Sequence, residues 1–233
     1  MTSKTHKLMT AMLVSGLALV SQSVFSSTTL TYQGAAFPSY QSGAISYADG
    51  VGGYPDFSNK GVSVGGFKML NGNTNQSITA WCVDVFDWLN SASYNNGNKS
   101  NLNNVSQLEK LVAQDYSKVN NATSSAAFQL AVWEIVNETA GSTSFSLGDG
   151  RFTASGGGLS AAITMANDWL QLNKANTGNY NMAYYIYGDG TMPNGVTQNL
   201  ISMSPVPLPA ALPLLLSGLG IFGFALRGKK KES

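Results

Sequence analysis

The run Ser77-Ile78-Thr79-Ala80-Trp81-Cys82-Val83-Asp84-Val85-Phe86-Asp87-Trp88 is dense in β-branched and aromatic residues, the types that fit a pleated, half-buried surface. It predicts a strand over 77–88, and it carries the one cysteine of the chain. Upstream, over 28–66, short apolar pieces such as Leu30-Thr31-Tyr32, Ala44-Ile45-Ser46-Tyr47 and Val62-Ser63-Val64 alternate with Gly, Pro and Asp-Gly punctuation. These read as further short strands and turns. Downstream, 91–104 is rich in Asn, Ser and Gly and reads as a surface loop ending in a helix cap at Asn103 or Asn104. Apolar residues at helical spacing then predict helices over 106–119, from 123–125 to 139, and over 159–172, before a final strand over 182–187. The expected fold class is α+β: an antiparallel β-sheet or sandwich with an inserted helical subdomain of about three helices, followed by a C-terminal transmembrane helix.

Both ends read as trafficking signals. Lys4, His6 and Lys7 precede an apolar stretch over 8–20 and then small and polar residues through Ser26 and Ser27, the order of a secretory signal peptide. That stretch is shorter than the roughly 20 residues a spanning helix needs, so residues 1–26 are expected to be cleaved off. At the other end, Pro205-Val206-Pro207-Leu208-Pro209 leads into an apolar span over 210–226, and then into Arg227, Lys229, Lys230 and Lys231. The span is just long enough to cross a bilayer, and the basic tail over 227–233 places its end in the cytoplasm and the bulk of the chain outside. Between the two ends lie a single extracellular module over 27–200 and a linker with the proline motif over 201–209.

This C-terminal arrangement closely resembles the PEP-CTERM sorting signal of Gram-negative bacteria, in which a proline motif, a spanning helix and a basic end are recognised by an exosortase. The resemblance covers Pro205 to Lys231, with Val206, Pro207, Leu208 and Pro209 as the sorting motif; Leu208 stands where a glutamate is common. It implies exosortase as a partner, an inner-membrane intermediate, and transfer to the cell surface or extracellular matrix.

The formal charge of +1 hides two basic ends around an acidic body. Over 27–209 seven lysines and arginines face eleven aspartates and glutamates, a net charge of −4. Phosphate binding needs clustered Lys and Arg, so a nucleic-acid partner is not expected. The only histidine, His6, falls in the signal peptide, which leaves the exported chain without a Cys-His or Ser-His-Asp arrangement and without the usual zinc or copper ligand sets. No metal, cofactor or turnover enzyme is expected. Glu134 and Glu138, one helical turn apart, read as a solvated face. The Asp-Gly pairs at 49–50, 149–150 and 189–190 read as turns, since none has the oxygen-ligand spacing of an EF-hand. Tyr184, Tyr185 and Tyr187 read mainly as packing residues, with one of them a candidate platform for sugar stacking.

Cys82 and Gln129 remain. Gln129 shares a predicted helix face with Val132, Trp133 and Val136, where a carboxamide needs hydrogen-bond partners, because an unsatisfied buried polar group costs roughly 1–3 kcal/mol. A lone thiol outside the cytoplasm is exposed to oxidation and mispairing. Two readings stand: an inert buried cysteine beside an ordinary hydrogen-bonded glutamine, or a thiol that has displaced ammonia from the carboxamide to leave an internal thioester. Trp81, Phe128 and Trp133 are candidates for the dry wall such a bond requires. Asp84 is expected to cap a solvated strand end rather than orient the reacting groups.

The runs Trp81-Cys82-Val83 and Gln129-Leu130-Ala131-Val132-Trp133 resemble the thioester domains of bacterial surface proteins, best known in adhesins. There an aromatic residue precedes the cysteine, and the glutamine opens a Gln-x-Ala-aliphatic-Trp helix; Phe128 stands where those domains often have threonine. The resemblance implies a Cys82–Gln129 cross-link that surface amines of proteins or of matrix polysaccharide would open, and hence adhesion. The alternative is a non-reactive structural component of extracellular polysaccharide matrix or biofilm.

Overall fold

The strand that begins near Ser77 ends at Cys82, six residues short of the expected boundary, because Asp84 turns the chain. Its Oδ1 accepts the backbone N–H groups of Phe86 at 3.2 Å and Asp87 at 3.1 Å, a side-chain substitute for a backbone turn. The computed structural model describes residues 27–50 and 53–206. The signal peptide over 1–26, most of the sorting motif (Pro207, Leu208 and Pro209), the transmembrane helix over 210–226 and the basic tail lie outside the described residues. Among the described residues no helix is long and apolar enough to cross a membrane.

Nine strands and three α-helices make up the described residues. The strands are β1 (Thr28–Ala35), β2 (Gln41–Tyr47), β3 (Phe57–Val64), β4 (Phe67–Asn71), β5 (Gln76–Cys82), β6 (Ala92–Asn96), β7 (Phe152–Ser155), β8 (Tyr180–Ile186) and β9 (Leu200–Pro205). The helices are α1 (Val105–Asp115), α2 (Ala122–Asn137) and α3 (Ser160–Trp169). The fold is α+β with antiparallel sheets, as the patterning implies, but the main sheet is not one layer of a sandwich. It closes on itself as an antiparallel barrel in the order β1-β4-β5-β9-β8-β6, and a separate three-stranded sheet runs β3-β2-β7. Closure leaves the barrel no edge strand to protect.

Register divides the barrel wall into two faces. Leu30, Met69, Ala80, Cys82 and Leu200 fall on one side of the sheet, Trp81 and Ile201 on the other. Trp81 packs edge-on against Phe128 of α2, with ring centroids 5.0 Å apart, and against Tyr116 just beyond α1 at 5.3 Å. The helices therefore cover the Trp81 face, and Cys82 belongs to the barrel interior at the end of β5.

Three expectations are corrected. The segment over 91–104, expected as loop, contains β6, which links β1 to β8. Residues 201–205, expected as linker, form β9 between β5 and β8 and complete the barrel. Asn104 does occupy the position before α1, with φ at 52°, but makes no cap there; its Nδ2 donates to the carbonyls of Ile135 and Thr139, and its Oδ1 accepts from Gly141. It satisfies the C-terminal carbonyls of α2 instead. The three Asp-Gly pairs are turns, with all three glycines at positive φ.

Two glycines of the smaller sheet separate packing from propensity. A Cβ on Gly43 would strike the Leu159 side chain and lie 2.9 Å from the Ser155 carbonyl, whereas one on Gly61 meets nothing within 4 Å. Gly43→Ala is expected to destabilise by about 1–3 kcal/mol, the usual cost of overpacking, and Gly61→Ala to be neutral or mildly stabilising; thermal unfolding of the two variants measures the contrast.

Candidate functional site

Helix α2 starts cleanly, with Asn121 and Ser124 exchanging side-chain and backbone bonds as a capping box. From Ser124 to Asn137 every residue is buried. Such a helix has no solvated face, so each polar side chain on it needs a protein partner. Ser125, Gln129, Trp133 and Asn137 recur every fourth residue and lie along one slowly winding stripe. All four bind backbone: that of Gly66 just before β4, of Cys82 at the end of β5, and of Val83 and Asp84 in the turn after it.

The bonds follow from where β4 stops. Cys82 is opposite Leu200 of β9, and the neighbouring bond runs from Val83 N–H to the Asn199 carbonyl at 3.0 Å. Cys82 is thus in a non-hydrogen-bonded position towards β9, and its own N–H and C=O point the other way, towards β4. The β4–β5 pairing ends at Phe67 and Ala80, so no strand is there to receive them. Gln129 takes both: its Oε1 accepts Cys82 N–H at 3.0 Å, and its Nε2 donates to the Cys82 carbonyl at 2.8 Å. Ser125 accepts Gly66 N–H at 2.8 Å, Trp133 donates to the Asp84 carbonyl at 3.0 Å, and Asn137 donates to the Val83 carbonyl at 3.2 Å. The stripe acts as a substitute strand, built from side chains of a helix.

This geometry puts the Gln129 carboxamide carbon opposite the Cα of Cys82, whose sulfur is two covalent bonds away. Both residues have no exposed surface, and Cys82 is in no disulfide. Burial pushes the thiol pKa well up, with the nearby Asp84 charge adding to the effect. Of the expected wall residues, Trp81 and Phe128 belong to one aromatic cluster with Tyr116 and Tyr180. Trp133 stands apart, packing on Phe152.

The acidic residues are not where the sequence pattern puts them. Asp84 does end the strand, but it is fully buried rather than solvated; besides its turn bonds, its Oδ2 accepts Asn199 N–H at 3.1 Å. Burial raises its pKa to about 7, against the opposing pull of those backbone bonds. Glu134 and Glu138, expected on a solvated face, are 1% and 8% exposed. Glu134 accepts Ser146 N–H and Glu138 accepts Arg151 N–H, and burial lifts Glu134 to about 8. These carboxylates staple the 138–151 loop to α2. Tyr184 is buried, and Tyr185 and Tyr187 pack against the core. Among the described residues no three His, Cys, Asp or Glu side chains group closely enough to hold a metal.

At the far end of the module, β9 finishes at Pro205, and Val206 N–H is still bonded to the Asn179 carbonyl at 3.0 Å. Residues 205–231 match the PEP-CTERM protein-sorting motif. The chain is therefore an exported protein directed to an exosortase and sorted by way of the membrane towards the cell surface. The PEP-CTERM match begins at the last residue of the barrel's closing strand, with no spacer between them. No curated protein and no solved structure matches the chain.

The stripe is only half legible in the sequence. Gln129 and Trp133 stood out, but Ser125 and Asn137 did not; the available signal was a polar residue every fourth position in an otherwise apolar helix. Replacing Gln129 with Leu leaves both Cys82 backbone groups buried and unpaired, and is expected to cost at least about 2 kcal/mol in urea unfolding. Ser125→Ala, which leaves only Gly66 N–H without its partner, is expected to cost less.

The buried carboxylates set a pH dependence. Asp84 and Glu134 have folded-state pKa values of about 7 and about 8 against ordinary values of 3.8 and 4.5. The folded state binds more protons in that window, so stability falls as pH rises through it. The thermal midpoint is expected to drop between about pH 4.5 and pH 8, and Glu134→Gln to flatten the upper part of that curve.

Proposed function

We propose that the exported domain is a surface attachment module that forms an internal thioester between Cys82 and Gln129. The observation that carries this reading is the fully buried Gln129 carboxamide held by two hydrogen bonds against Cys82. In the bond-forming step Cys82 sulfur attacks the Gln129 side-chain carbonyl carbon, the C–N bond breaks, and the thiol proton leaves with the amide nitrogen as ammonia. Burial keeps the thiol protonated, and since the thiolate is the nucleophile, the proton must pass to the amide nitrogen as the sulfur attacks. Exclusion of water protects the product from hydrolysis.

A primary amine on a surface protein or on matrix polysaccharide then attacks the same carbonyl. The C–S bond breaks, Cys82 regains its proton, and the partner is left joined to Gln129 by an amide. Each molecule reacts once, so the protein is a reactive adhesin rather than a turnover enzyme. Its place of action in this reading is the cell surface or extracellular matrix of a Gram-negative bacterium, reached through an inner-membrane intermediate.

A second reading has its own support. Both polar ends of the Gln129 side chain already have partners, so the amide serves the fold without reacting, and the protein is then a non-reactive component of extracellular polysaccharide matrix or biofilm. Intact mass of the protein extracted from the cell surface separates the two. The thioester predicts a deficit of one ammonia and a Cys82 that resists alkylation even after denaturation, until an added amine such as methylamine releases it. Full mass, with complete alkylation of the unfolded chain, would sink the covalent reading and leave the matrix role.

A further inference from the structure

Between the barrel and the three-stranded sheet lies an open cleft of about 640 Å³, within the range of small-molecule sites. Its walls come from β1 and β4 on one side, β2 and β3 on the other, and the turn after β5. We propose that this cleft binds a hydroxyl-rich saccharide chain. The inference stands on the cleft alone and does not rest on the Cys82–Gln129 chemistry.

The rim is aromatic, and the lining behind it sets apolar residues such as Ile45, Val62 and Leu89 beside Lys60 and Gln198. Trp88 is 69% exposed, the most exposed large apolar side chain among the described residues, and its ring stands at the mouth with the Lys60 ammonium 5.5 Å from its centroid. Across the cleft, Tyr32 and Tyr40 are joined through their hydroxyls at 3.0 Å, and Phe67 packs on both rings. An exposed indole held in place by a cation on its ring face leaves a flat apolar surface free. The C–H face of a sugar ring fits such a surface, while its hydroxyls need polar partners around the edge.

Those partners are present. Lys60 Nζ donates to the carbonyls of Val85 and Phe86 at 2.9 and 3.2 Å, which leaves one of its three N–H groups for a ligand. Gln198 also lines the cleft, with its Nε2 donating to the Asp87 carbonyl. A saccharide hydroxyl both donates and accepts, so one ligand type can take the remaining Lys60 N–H and also bond the Tyr32–Tyr40 hydroxyl pair on the opposite wall.

The competing ligand classes fit less well. A cationic amine would seek a carboxylate, but the only one in the lining, Asp87, already receives the N–H groups of Gly195 and Asn194 on its two oxygens. A fatty chain would cover the Lys60 ammonium with hydrocarbon and leave its remaining N–H unpaired, which costs free energy.

The test uses the full-length protein in detergent, with intrinsic tryptophan fluorescence and calorimetry as readouts. The probes are an array of neutral and acidic oligosaccharides, with spermidine and oleate as the competing classes. Saturable binding of at least one oligosaccharide is expected, with a shift in tryptophan emission. Trp88→Ala is expected to weaken it about tenfold, and Trp88→Phe to retain most of the affinity. Because Trp88 is exposed, its removal should leave thermal unfolding unchanged. The proposal is overturned if no oligosaccharide binds in a Trp88-dependent way, or if spermidine or oleate occupies the cleft in their place.

Discussion

A helix buried all round its circumference cannot leave a polar side chain idle, and α2 is such a helix. Its stripe of Ser125, Gln129, Trp133 and Asn137 completes the hydrogen bonding of a strand pair that β4 abandons at Phe67. Orphaned backbone groups in a dry interior cost about as much as lost hydrogen bonds. This constraint links the barrel, the helical layer and the turn after β5, since each supplies one side of the same bonds. The position of Cys82 follows from it, because the cysteine is the last β5 residue and its backbone is what Gln129 holds.

The same turn ties the site to the rest of the molecule. Asp84 gathers Phe86, Asp87 and Asn199, and so fixes the segment leading into β9 against the end of β5. Asp87 repeats the arrangement with Asn194 and Gly195. Two successive acidic side chains thus organise the loops around the cleft mouth by accepting backbone N–H groups. Their cost is desolvation, which for Asp84 appears as a raised pKa.

Helices were the most legible part of the fold, since Leu108, Leu111 and Val112 mark one face of α1, and Trp169 and Ala166 mark α3. Helix α2 was found with the right extent but the wrong faces: uniform burial erases amphipathic contrast, so Glu134 and Glu138 looked solvated when they are pinned under a loop. Strand β9 was invisible because Leu200–Pro205 runs straight into prolines, and its place between β8 and the distant β5 is a matter of tertiary pairing rather than of local pattern. The nearness of Cys82 and Gln129 came from likeness to a known pairing of motifs, not from spacing. The cleft could not have been read at all, because its walls join segments that only the barrel and the small sheet bring together.

Strand β9 lies between β5 and β8 and runs antiparallel to both. Tension applied to Pro205 in line with the strand pulls β9 along its own axis. A strand drawn lengthwise between two partners is loaded in shear, so its ladders on both sides share the load rather than opening one bond at a time. The barrel is therefore built to resist being drawn open from its C-terminal end.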